Sequence, residues 1–120
     1  MEDLVILVAV TPGPLRELLD RELPKRGYTV MLADDITFVW SKLTYNPAPV
    51  DVVVLCDTGT CLRNMFSRFV PNIQKRFSHT PVIVVGERET PLWESVPEVR
   101  RDDPEMLPKL INTIERFRKR

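Results

Sequence analysis

Short apolar runs alternate with amphipathic stretches along most of the chain. Three continuous apolar runs rich in β-branched residues predict strands that are buried on both faces: Leu4–Val10, Val52–Leu55 and Val82–Val85. Two segments with a weaker pattern, Tyr28–Leu32 and Val96–Val99, predict two further strands. The pattern therefore predicts five strands.

Apolar residues recur at helical spacing between these runs. In Leu15–Leu23 the leucines lie on one side and charged residues on the other, which predicts an amphipathic helix. Gly27 is a suitable stop for this helix. Similar spacing predicts helices within residues 36–43, 62–77 and 106–117.

Several residues mark where the later helices begin. Asp35 and Asp103 are placed as N-caps, and Pro104 would then occupy the first helical position. Pro71 lies inside the third helical stretch, so that helix either kinks there or begins near Val70.

Strands that alternate with helices indicate βαβ units, and hence a parallel sheet covered on both faces. Five strands in a chain of 120 residues predict a doubly wound, flavodoxin-like α/β fold with strand order 2-1-3-4-5. Right-handed crossovers in this order place the first and last helices on the same face of the sheet. Functional residues of such folds lie at the carboxyl ends of the strands.

Length and composition exclude several classes of protein. The chain of 120 residues fits one domain, residues 1–120, and 17 Lys and Arg balance 17 Asp and Glu. This balance argues against direct binding of nucleic acid, and the longest apolar run is too short for a membrane span. Two Cys and no secretory signal indicate a cytoplasmic protein. With a single His, no metal site is expected, and no cofactor-binding motif is found.

The sequence resembles the receiver domain of two-component response regulators over nearly its whole length. Mostly core and turn residues carry the resemblance: Ile6–Val8, Leu15–Leu19, Gly27–Val30, Val52–Leu55, Thr80–Val85 and Asp103–Leu107. The resemblance implies the receiver fold, and it also implies where the functional residues of the family should fall.

The acidic positions of the family are altered in this chain. Its metal-binding acid pair falls on Val10 and Thr11, and its phospho-accepting Asp falls on Cys56, with Asp57 one residue later. A shift of one residue at a strand end turns a side chain to the other face of the sheet unless a bulge restores it. The resemblance therefore implies a receiver whose phosphorylation site is degenerate, that is, a pseudo-receiver.

The switch positions of the family also differ. Its hydroxyl residue after the fourth strand corresponds to Gly86, and its Lys after the fifth strand corresponds to Arg100. Only Gly86–Ser95 separates the last two predicted strands, so the helix that the family has there is expected to be shortened or absent. Exposed apolar sheet surface favours association, which predicts a homodimer with Leu92 and Trp93 at or near the contact.

These features favour a signalling module that acts through protein–protein interaction or dimerisation and is not an enzyme. Its partner would be a signalling or output protein, or an output domain of the same chain if this is the N-terminal regulatory domain of a longer regulator. Two alternatives remain open. One is a functional receiver phosphorylated on Asp57, and the other is a flavodoxin-like binder of a small molecule.

Overall fold

The computed structural model describes residues 4–34, 37–45, 50–56, 71–77, 80–86, 98–100 and 103–117. These ranges contain five strands: β1 (Val5–Ala9), β2 (Thr29–Ala33), β3 (Val52–Cys56), β4 (Val82–Gly86) and β5 (Glu98–Arg100). Each end lies within about two residues of its predicted position, as is usual for element boundaries.

The strands form one parallel sheet in the order β2-β1-β3-β4-β5, so the predicted architecture is confirmed. All residues of β3 and β4 are buried, because a parallel sheet with helices on both faces shields its central strands from water. This shielding on both faces explains why the sequences of these strands are continuous apolar runs.

Four helical segments are described: α1 (Pro14–Lys25), α2 (Thr37–Tyr45), α3, of which residues 71–76 are described, and α4 (Met106–Glu115). The kink or late start predicted for α3 concerns residues 61–70, which lie outside the described residues, as does Asp35. None of the described helices is long and apolar enough to cross a membrane.

Alternating strand residues divide the core into two clusters. Ile6 and Val8 pack on the same side as Leu19 of α1 and Leu110 of α4. Leu7 and its neighbours on the opposite face pack with residues of α2 and α3. The first and last helices therefore lie on the same face, as the strand order predicts.

Gly27 has the backbone conformation expected of a residue that follows a helix. Its φ angle of 89° lies in the left-handed region, and its N–H donates to the carbonyl of Pro24 at 3.1 Å. A glycine adopts this conformation without the steric penalty of a Cβ atom. The predicted end of α1 is confirmed.

The predicted start of α4 is wrong by two residues. Asp103 is not its N-cap, because the helix begins at Met106 and Glu105 occupies the N-cap position. Instead, a carboxylate oxygen of Asp103 accepts the N–H of Glu105 at 2.8 Å, and its carbonyl accepts the N–H of Met106 at 2.9 Å. Asp103 thus stabilises a turn that leads into the helix. Pro108 lies in the first turn of α4, where its missing N–H costs little.

The connection between β4 and β5, residues 87–97, lies outside the described residues. The prediction that the fourth helix of the family is shortened or absent falls on this segment. Leu92 and Trp93 belong to it as well, so their proposed place in an interface stays a prediction.

Candidate functional site

The carboxyl ends of the strands bring the candidate positions to one edge of the sheet. Cys56 is the last residue of β3, Gly86 the last of β4 and Arg100 the last of β5. The register pairs Cys56 with Val85 and Gly86 with Arg100. The structure therefore places these three positions on adjacent strands, at the edge where flavodoxin-like folds carry their functional residues.

Val10 follows β1 at the same edge and is part of the core. Its side chain is 1% exposed and packs in the cluster that contains α1 and α4. Its N–H donates to the carbonyl of Ala33 at 3.0 Å, which continues the pairing of β1 with β2 by one residue. Val10 thus offers no oxygen ligand, and the half-buried Thr11 beside it offers only a neutral hydroxyl.

Cys56 is a buried cysteine. It is 5% exposed and alternates with Val52 and Val54, so its side chain packs in the same cluster as Val10. Cys56 thus packs as a small apolar residue at the end of β3. Asp57, the possible phosphate acceptor, lies outside the described residues.

An ion pair at this edge was not predicted from the sequence. Arg16, in the first turn of α1, donates to the carboxylate of Asp34 directly after β2, with 2.6 Å between the nitrogen and the oxygen. The two residues are 18 positions apart, and only the pairing of β1 with β2 brings them together. The carboxylate of Asp34 is thus engaged by a guanidinium.

The described residues contain no group of three or more His, Cys, Asp or Glu side chains that could hold a metal ion. Among the positions where the family carries its acids, those described are Val10, Thr11 and Cys56, and none has a carboxylate. Mg²⁺ prefers carboxylate and other oxygen ligands in octahedral geometry. These three positions therefore supply no carboxylate ligand for such a site.

A second feature lies beside Arg100, between β5 and α4. An open pocket of about 490 Å³ is lined by Val99, Arg100, Asp103, Lys109, Asn112, Thr113 and Arg116. The Lys109 ammonium contacts the Asp103 carboxylate at 2.5 Å. This contact and the N–H of Glu105 hold the pKa of Asp103 below its ordinary value. The same contact raises the pKa of Lys109, so both groups are charged at neutral pH.

No protein-family model matches the sequence. No curated protein matches it either.

The fold, in contrast, matches solved receiver proteins. The chemotaxis protein CheY4 of Vibrio cholerae matches with a TM-score of 0.70 at 17% identity, covering 93% of this chain and 98% of its own. The response regulator TrrA of Thermotoga maritima, crystallised with Mg²⁺ and BeF, matches with a TM-score of 0.72 at 17% identity, covering 98% and 99%. A chain in the complex of histidine kinase ThkA with TrrA matches with a TM-score of 0.70 at 19% identity, covering 92% and 97%.

These likenesses extend over nearly the whole of both chains in each comparison. The protein therefore has the fold of the response-regulator receiver domains, as its sequence predicts. At sequence identities of 17–19%, the structural similarity establishes the fold alone.

Proposed function

We propose that the protein is a receiver-like signalling module that acts through protein–protein interaction and is not switched by aspartyl phosphorylation. The observation that carries the proposal is the burial of Val10 and Cys56 in the apolar core. These positions correspond to sites where receivers carry acidic side chains, according to the sequence resemblance.

The chemistry of phosphoryl transfer explains why this substitution matters. Catalysis of this reaction depends mostly on positioning and on neutralising the negative charge that develops in the transition state. Mg²⁺ supplies much of that charge, and it needs oxygen ligands that Val10 and Cys56 do not have. Asp57 alone would be a poor phosphate acceptor without such a site.

The switch positions favour the same proposal. Gly86 has no side-chain hydroxyl with which to bind a phosphoryl group, although it ends β4 at the expected edge. Arg100 keeps a positive charge at the end of β5, but its guanidinium differs from a Lys ammonium in shape and in hydrogen-bonding geometry. A phosphoryl group on a neighbouring residue would therefore lack the usual hydroxyl contact.

The proposed partner is another signalling or output protein, or an output domain of the same chain. The neighbour TrrA was crystallised in complex with a histidine kinase, so a protein of this fold can carry a protein-binding surface. A homodimer through β4, β5 and α4, with Leu92 and Trp93 near the contact, is part of the proposal. We assign no enzymatic activity to the module.

Incubation with acetyl phosphate and Mg²⁺, followed by intact mass measurement, tests the proposal. We expect no mass gain of one phosphoryl group under conditions that label an active receiver run in parallel. Beryllofluoride with Mg²⁺ is expected to leave the amide spectrum unchanged. A stoichiometric mass gain that is lost in Asp57→Asn would show instead that this is a functional receiver.

A further inference from the structure

The helices α2 and α3 cover one face of the sheet and belong to a basic part of the chain. Val39 of α2 and Ile73 of α3 pack in the same core cluster, on the face opposite to α1 and α4. Residues 36–50 and 58–86, which include both helices, contain five Lys and Arg but no Asp or Glu, although the chain has 17 acidic residues. The balanced net charge of the whole chain therefore does not apply to this part of the sequence.

Exposed residues on each of these helices lie in one row. Three of them on each helix follow the spacing i, i+3, i+4, which places them on one side of that helix. They are Phe38, Ser41 and Lys42 on α2, and Asn72, Lys75 and Arg76 on α3. The Phe38 side chain is 49% exposed, although phenylalanine is among the residues most often buried. The two rows combine an aromatic ring, three cations and two neutral polar groups.

The cations of α2 and α3 differ from those of α1 in their partners. On α1, Arg21 and Lys25 both contact the carboxylate of Glu22, at 3.0 and 3.2 Å. Asp51, which follows α2 in the sequence, accepts the N–H of Val5 with its carboxylate at 2.8 Å. Among the described residues, no carboxylate forms an ion pair with the exposed cations of α2 and α3. Their charges are therefore available to an anion from outside the chain.

The neutral net charge of the chain does not prevent this face from attracting an anion. At physiological ionic strength, charges on a protein surface are screened over about 8 Å. The shortest principal dimension of the molecule is 26 Å, so acidic residues on the face of α1 and α4 act weakly on an anion bound at α2 and α3. The expectation against nucleic acid, which follows from net charge, therefore does not extend to this local surface.

We propose that the exposed rows of α2 and α3 bind single-stranded nucleic acid, with phosphates at the three cations and a base stacked on Phe38. Lys and Arg contact phosphates, and Ser and Asn side chains also donate to phosphate or sugar oxygens. An exposed aromatic ring stacks on unpaired bases, which a duplex does not offer, so a single strand is the ligand. The inference goes beyond the proposed function and does not rest on it.

The test uses the whole chain with fluorescein-labelled oligothymidylate and oligouridylate of about 12 nucleotides. Fluorescence anisotropy at low salt is expected to rise to saturation. The logarithm of the binding constant should fall with the logarithm of the salt concentration with a slope of about −2, because three phosphate contacts on a single strand contribute about −0.7 each. Binding of either strand supports the proposal, and tighter binding of oligouridylate would identify RNA through its 2′-hydroxyl groups.

Two variants separate stacking from charge. Phe38→Leu should weaken binding by about fivefold or more and leave the salt slope unchanged, because a base loses its aromatic partner. Lys42→Gln should make the slope shallower by about 0.7, because one phosphate contact is lost. Lys25→Gln is the matched control, since Lys25 is an exposed cation on α1, at the opposite face, and should bind as the unaltered protein does. Circular dichroism should show that all variants are folded.

Three results would overturn the inference. Polyglutamate of similar length that binds as tightly as the oligonucleotides would identify an acidic protein as the occupant. An abasic oligonucleotide that binds equally well, with no effect of Phe38→Leu, would exclude base stacking. Equal losses in Lys25→Gln and Lys42→Gln would place the contact outside this surface. The phosphorylation assay measures a different property, so a chain that accepts a phosphoryl group would remove the proposed function and leave this surface unaffected.

Discussion

The hydroxyl of Tyr28 donates a hydrogen bond to the carboxylate of Glu115, although the two residues are 87 positions apart in the sequence. Tyr28 is buried just before β2, and Glu115 is the last residue of α4. Tyr28 belongs to the core cluster that joins α1 and α4 to the sheet. This hydrogen bond therefore connects the start of the outer strand β2 to the end of the last helix.

Tyr28→Phe should lower the free energy of unfolding by about 1–3 kcal/mol, because it removes a hydrogen bond to a charged group. The ring itself is kept, so packing changes little. Urea denaturation measures the effect. Asp20→Asn, at an exposed position of α1, is the control and should change stability by less than about 0.5 kcal/mol. Equal effects of the two substitutions would contradict this role of the hydroxyl.

The buried face of α4 should contribute far more to stability than its pocket face. Leu110→Ala is expected to lower the free energy of unfolding by about 2–5 kcal/mol, because it opens a cavity in a fully buried part of the core. Asn112→Ala, two residues away and exposed, should cost less than about 0.5 kcal/mol. Thermal or chemical denaturation distinguishes the two. A large loss of stability in Asn112→Ala would show that the pocket side of α4 also stabilises the fold.

The Asp103–Lys109 pair predicts a specific response to pH. Because Lys109 first, and the Glu105 N–H second, lower the pKa of Asp103 in the folded protein, the carboxyl should titrate below its ordinary value of 3.8. Its contribution to stability is present above that value and disappears as the pH falls through the folded pKa. Carboxyl carbon shifts measured by NMR report the titration.

Lys109→Gln is the companion variant for the pH experiment. It removes the largest cause of the shift, so the pKa of Asp103 should move up towards 3.8. The Glu105 N–H still donates to the carboxylate at 2.8 Å, so part of the shift should remain. An unchanged pKa in this variant would show that the contact with Lys109 has little effect in solution.

Mg²⁺ should not bind with useful affinity. Val10 is buried and offers no ligand, so titration should give no saturable change in tryptophan fluorescence or amide shifts below about 10 mM. An active receiver titrated in parallel is the control. Saturation in the sub-millimolar range would refute the prediction and favour a functional phosphorylation site at Asp57.

Self-association should be detectable at micromolar concentration. Sedimentation or light scattering is expected to show a homodimer, since two-fold dimers are the most frequent homo-oligomers. Trp93→Ala and Leu92→Ser should weaken it if the contact lies at the β4, β5 and α4 side. A monomer across the concentration range would remove the dimer from the proposal, and a dimer unaffected by both variants would place the contact elsewhere.

Residue spacing predicted the strands and helix ends that depend on a short stretch of neighbouring residues. The continuous apolar runs predicted β1, β3 and β4 to within one residue at each end, because strands shielded on both faces require apolar side chains at every position. Gly27 predicted the end of α1, since a left-handed φ after a helix favours glycine. Strand order and the common face of α1 and α4 followed from the handedness of crossovers.

Local patterns failed where one side chain had several possible partners. Asp103 is a residue type that is common at N-caps, yet its carboxylate accepts hydrogen bonds from the Glu105 N–H and from Lys109, six residues further along. The helix α4 begins two residues later than predicted. Asp51, directly before β3, shows the same effect. Its carboxylate accepts the Val5 N–H at 2.8 Å, while its own N–H donates to the Val5 carbonyl at 2.9 Å. Short-range spacing does not predict this reciprocal bond between the approaches to β1 and β3.

The sequence by itself thus determined the sheet, its order and the loss of acidic groups at Val10 and Cys56, because these depend on residue type and on the position of each strand end. Tertiary structure alone decided the Arg16–Asp34 pair, the Tyr28–Glu115 bond and the donor-rich pocket between β5 and α4. Each of these depends on which elements the parallel sheet brings together. Side chains far apart in sequence interact only after the folded backbone has set the distance between them, and no local periodicity encodes that distance.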